Sequence, residues 1–73
     1  MKFAEKIRNL RKEKGLSQVE LAADADMAKS YLSELELGKR NASVLVLSRL
    51  AAALGTTLEE LFKGVVSIET LLQ

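Results

Sequence analysis

The sequence predicts an all-α fold, a compact bundle of five short helices, on three observations. Hydrophobic residues fill 48% of the 73 positions, yet there is no Trp and only two Phe and one Tyr, so the core must be built from Leu, Ala, Val and Ile. The chain has no Pro to interrupt a helix. Its apolar residues recur at helical spacing in segments that open on Ser or Thr and close on Gly. A domain this small buries only about 60% of the surface its unfolded chain exposes, so its stability margin is thin.

Phe3, Ile7 and Leu10 set the inward face of a first helix over about 2–13, and Gly15 stops it. Ser17 opens the second. Glu20 lies three residues on and can return a bond to the Ser17 amide, while Leu16 and Leu21 flank the cap as a hydrophobic staple. That helix ends near Asp24 and the third begins near Ala28, leaving "ADM" as the joint. A connection this short holds two helices at roughly 90 to 120°, the geometry of a helix-turn-helix. Asp26 takes the central turn position, where left-handed backbone is expected.

The third helix buries Ala28, Tyr31, Leu32 and Leu35 and stops at Gly38. Ser43 caps a fourth with Val44, Leu47, Leu50, Ala51 and Leu54 facing inward, and Gly55 ends it. Thr57 caps a fifth, with a second capping box through Glu60 and with Leu58, Leu61 and Phe62 buried. Residues 1–64 form the domain. The segment 65–73 carries Ile68, Leu71 and Leu72 at helical spacing but is too short to hold helix alone, so it either docks or stays loose.

The absence of Cys and His excludes disulfides, thiolate chemistry, histidine catalysis and the usual zinc sites, and no spacing suggests a catalytic group. The expectation is therefore a protein that is not an enzyme and needs no metal or cofactor. No apolar run reaches the roughly 18 residues of a membrane span, and the Met1 end lacks a secretory apolar region, which points to the cytoplasm. Net charge is only +1, but it is sorted: +4 over residues 1–14, −3 over 15–28, +2 over 29–49 and −2 over 59–73. Such sorting permits a basic face on a nearly neutral chain.

At 100° per residue, Lys29, Ser30, Ser33, Glu34 and Leu37 share one arc of about 140° on the third helix, opposite its leucines. This helix and its surroundings resemble the phage repressor and Cro type of helix-turn-helix domain. The residues that carry the resemblance are "IRNLRKEKGLSQVELA" (7–22), "SYLSELELGKRNAS" (30–43) and "LSRLAAALGTTLEELF" (47–62). Within that family, "KSYLS" followed by "GKRNAS" looks most like the controller proteins of restriction-modification systems and like stand-alone repressors.

The resemblance implies a lambda-repressor-like fold and a sequence-specific, double-stranded-DNA-binding regulator, with the third helix in the major groove. Base contacts fall to Lys29, Ser30, Ser33 and Glu34: Lys donates to guanine, Ser adapts, and Glu accepts from cytosine. Phosphate contacts fall to Gln18, Lys39, Arg40 and Asn41, with Lys6 and Lys12 as weaker choices. Arg11 is expected to pair with Glu36 and join the first helix to the third. Asp26, Ala28, Leu37 and Ala42 depart from the family pattern, and Asp26 and Glu34 lower the positive potential where DNA should lie.

Leu45 and Val46 stand where this family often has polar residues. With Val65, Val66, Ile68, Leu71 and Leu72 they make apolar surface that suits a homodimer, which a palindromic operator also requires. Deeper core packing is the alternative for them. Two other functions fit the same residues: an antitoxin that binds both a toxin and its own operator, and a protein-interaction module that has lost DNA binding. No small-molecule ligand is suggested.

Overall fold

The structure is a computed structural model that describes residues 2–63, so Val65, Val66, Ile68, Leu71 and Leu72 of the expected apolar tail lie outside the described residues. Five helices follow one another: α1 (Phe3–Glu13), α2 (Gln18–Asp24), α3 (Lys29–Glu36), α4 (Val44–Ala53) and α5 (Leu58–Phe62). The fold class read from the sequence is the one observed.

The helix starts are local. Ser17 accepts from the Glu20 amide and the Glu20 carboxylate accepts from the Ser17 amide, a complete capping box. Ser43 and Thr57 accept from the amides of Val46 and Glu60. At α5 the reciprocal bond expected from Glu60 is absent among the described residues, and its carboxylate stands 4.0 Å from the Lys63 ammonium. An exposed Glu one turn before a Lys has that competing partner within reach.

The ends of α1 to α4 share one device. After α3, Gly38 N–H bonds to the Leu35 carbonyl and Lys39 N–H to that of Glu34, a Schellman motif. The ends of α1 and α4 close in the same pattern. So does α2, but with Asp26 at φ 57° where the others have Gly. The left-handed turn foreseen at Asp26 is therefore present, at a cost of about 1 to 2 kcal/mol relative to a Gly there.

Among the described residues twelve apolar side chains, including Ile7, Leu21, Leu32, Leu50, Leu54 and Leu61, form a single core. α3 packs between α1 and α2, while α4 lies on α2 and on α5. Phe3 and Phe62 meet edge to face with ring centroids 5.1 Å apart, tying α5 to α1. Lys6 reinforces that closure by donating from Nζ to the Lys63 carbonyl at 2.9 Å.

Several inward assignments require correction. Val44 is 63% exposed. It is the first residue of α4, and its Cβ tilts toward the helix N-terminus and away from the core. Ala28 is exposed because it is the extended residue preceding α3 and not part of the helix. Leu10, Tyr31, Leu58 and Phe62 are only half-buried and pack on the core's rim. Val46 also packs against the core, whereas Leu45 is 62% exposed. Of that pair, Leu45 alone is an exposed side chain.

Candidate nucleic-acid interface

α3 divides cleanly along its axis. Leu32, Leu35 and Glu36 are buried. Lys29 and Ser30 are exposed at its first turn, and Ser33 and Glu34 are half-exposed one turn later. Lys39, Arg40 and Asn41 are all exposed in the segment that the Schellman turn brings back beside α3. The four side chains assigned to base edges and the three loop residues assigned to phosphate are therefore all at least partly open to solvent, and helix and loop meet at Glu34, whose carbonyl accepts from Lys39 N–H and whose carboxylate accepts from Arg40.

The orientation of α3 is fixed from behind by a buried charge. Glu36 is 4% exposed, and its carboxylate is fully engaged. Arg11 donates from Nε to Oε2 at 2.7 Å and from Nη2 to Oε1 at 3.0 Å, and Gln18 Nε2 donates to Oε1 at 3.1 Å. Arg11 Nη1 also donates to the Leu16 carbonyl at 3.0 Å. One carboxylate thus ties α3 to α1, to the α1–α2 loop and to the start of α2. A planar guanidinium suits this task because it makes two parallel bonds and still has a donor left for the loop. Gln18, expected at phosphate, gives one amide N–H to this bracing network, and its second amide N–H is the side-chain donor that remains for a phosphate.

On the solvent side lies a second ionic contact, which helical spacing did not foresee. Arg40 Nε donates to Glu34 Oε2, and the guanidinium carbon lies 5.2 Å from the centroid of the Tyr31 ring. The hydrogen bond that Arg40 donates to Glu34, then the Glu34 charge, hold the Arg40 pKa above its ordinary value, outweighing desolvation. The contact joins residues six apart across a turn, so no helical periodicity announces it. The combination of Glu34, Gly38 and Arg40 is the sequence signal, legible once the turn type is known. Because Glu34 is paired, it does not stand as a bare negative charge on the polar face. Lys6, a weaker phosphate choice, gives one of its three ammonium donors to the α1–α5 closure.

Residues 7–61 match the helix-turn-helix family. The chain belongs to the helix-turn-helix family. It is 46% identical over 66 residues to the control protein C.MunI of Mycoplasma sp, covering 89% of each chain. Among solved structures it is similar to the restriction-modification controller protein C.AhdI from Aeromonas hydrophila. That similarity has a TM-score of 0.80 at 42% identity and covers 82% of this chain and 91% of that one. It is also similar to SinR, a master regulator of biofilm formation solved in complex with DNA, with a TM-score of 0.78 at 39% identity over 84% of this chain and 98% of that one. Some curated relatives are longer, and the chain spans 48 to 50% of their length. The resemblance read from residues 7–63 is thus that of a true member, and with its family the chain shares the role of DNA-binding regulator rather than enzyme. Among the described residues no group of acidic side chains could hold a metal, and no helix is long and apolar enough to cross a membrane.

Proposed function

We propose that this chain is a cytoplasmic transcription regulator that binds a palindromic operator as a homodimer, each copy inserting α3 into the major groove. The observation that carries this reading is the two-sided build of α3: a polar outer arc bordered by a basic loop, and a buried Glu36 that locks the helix from behind. A recognition helix needs both, because base contacts discriminate only when the helix that bears them cannot rock.

In this reading Lys29, Ser30, Ser33 and Glu34 meet base edges, and Gln18, Lys39, Arg40 and Asn41 meet phosphates. Affinity comes from the phosphate contacts, and sequence preference from the base contacts. One domain of this size offers roughly 600 to 1,000 Å² to DNA, too little for tight specific binding. Doubling it through exposed Leu45, together with residues 65–72, is the remedy the chain carries.

Selection of bound duplexes from a random DNA pool tests this directly. The reading expects an enriched site made of two inverted halves about 34 Å apart, one turn of DNA. Enrichment of a single asymmetric half-site would remove the dimer, and no enrichment over starting sequence would remove specific recognition.

A further inference from the structure

Glu34 presents a puzzle, since a carboxylate on a DNA-facing arc is repelled by phosphate. Its pairing with Arg40 does little for the fold. The two side chains are 44% and 53% exposed, and an ion pair in that setting contributes little to stability. The pair also uses only part of the arginine. Nε is engaged by Glu34, whereas the terminal N–H groups of Arg40 form no other hydrogen bond among the described residues. Tyr31 supplies the third side of the seat, its ring lying under the guanidinium. The backbone bond from Lys39 to the Glu34 carbonyl fixes the loop on the same helix turn, so both ends of the contact are set by one turn of chain.

We propose that Glu34 is a positioning residue for DNA binding: it holds Arg40 against Tyr31, so that the arginine's free terminal donors meet backbone phosphate with the side chain already ordered. The inference rests on the reading of α3 and its following loop as the DNA-binding face. It differs from a base-reading role for Glu34, which concerns sequence preference, because positioning acts on every sequence alike. Two opposed effects decide the outcome. Ordering one long side chain at the moment of binding lowers affinity by roughly two- to twelvefold. Repulsion between Glu34 and a phosphate beyond the width of Arg40 is screened at physiological salt to about 1.5-fold. Positioning therefore outweighs repulsion, and removing the Glu34 acceptor that holds Arg40 weakens binding even though a negative charge leaves the DNA face with it.

The test measures the affinity of the full chain for a random-sequence DNA duplex by fluorescence anisotropy across a salt series, with melting curves to show that each variant folds. Glu34→Ala is expected to bind about two- to twelvefold more weakly than the unaltered chain near physiological salt. Its salt slope should be shallower by up to about one, like that of Arg40→Ala. Glu34→Gln keeps an oxygen for Arg40 Nε and should recover most of the affinity. In the Arg40→Ala background, Glu34→Ala should cause no further loss. Equal or tighter binding by Glu34→Ala, or failure of Glu34→Gln to outperform it, overturns the proposal while the DNA-binding reading stands. Absence of salt-dependent duplex binding by the unaltered chain overturns that reading and the proposal with it.

Discussion

Replacing Arg11 by Met isolates the cost of the buried network behind α3. The substitution keeps an apolar stem and strips Glu36 of two of its three donors, leaving a carboxylate that is 4% exposed with Gln18 alone at 3.1 Å. An uncompensated buried charge of this kind costs about 3 kcal/mol or more. That approaches the whole margin of a domain this size, about 3 to 9 kcal/mol. Glu36→Met is milder, because Arg11 is 12% exposed, keeps its bond to the Leu16 carbonyl and can turn toward water. About 1 to 2 kcal/mol is expected there. The double variant removes both charges together and should fall within about 1 kcal/mol of the unaltered chain. Urea unfolding followed by circular dichroism gives the four stabilities and hence a coupling of at least about 3 kcal/mol. Additive single costs, or an Arg11→Met protein of full stability that has lost only DNA affinity, would show that Arg11 serves phosphate and not α3.

Three further outcomes follow from local geometry. Ala28 precedes α3 in the extended backbone of a capping residue but lacks a side-chain acceptor, so Ala28→Ser should stabilise the domain by about 1 kcal/mol in a thermal melt; no change would mean that the α3 amides are already satisfied. The bonds from the Ser17 backbone and then its hydroxyl lower the pKa of Glu20, so its ionised form contributes stability that is present above the unfolded value and lost as pH falls through the lower folded one. That loss should accordingly start as pH falls into the ordinary glutamate range and continue below it, and Glu20→Gln should flatten that part of the curve. Leu45→Glu should leave folding intact, since the side chain is 62% exposed, while shifting sedimentation toward monomer; an unaltered chain that is itself monomeric at tens of micromolar on and off DNA would contradict the dimer.

What was legible in the sequence was local or periodic. Ser17 with Glu20, and the repeat of Leu21, Leu32, Leu50 and Leu61, specify starts and faces through bonds within one turn and through burial, and these persist whatever the tertiary detail. Asp26 was legible because the helical patterns left a three-residue joint with Asp26 at its central turn position, where left-handed backbone is expected. The inward residues that prove exposed, Val44 and Ala28, sit at element ends. Val44 has the right period but lies beyond the core's edge, and Ala28 has the right face but precedes the helix. The contacts between Lys6 and the Lys63 carbonyl and between Arg40 and Glu34 depend on how turns return the chain, which period and composition do not encode. The Arg11–Glu36 contact spans 25 positions and entered only through family resemblance, as no spacing rule links residues on two separate helices.

The claim at the centre is that the first turn of α3 reads base edges, and Lys29 is the residue that tests it most directly. Affinities of Lys29→Ala and of the unaltered chain should be compared on the selected operator, on each of its single-base variants and on random duplex, all at one salt concentration. The expected result is a loss of about 1 to 3 kcal/mol on the operator confined to one base pair per half-site, where the variant no longer discriminates. Equal losses on operator and random duplex would place Lys29 at phosphate and contradict the assignment of α3 as the reading helix.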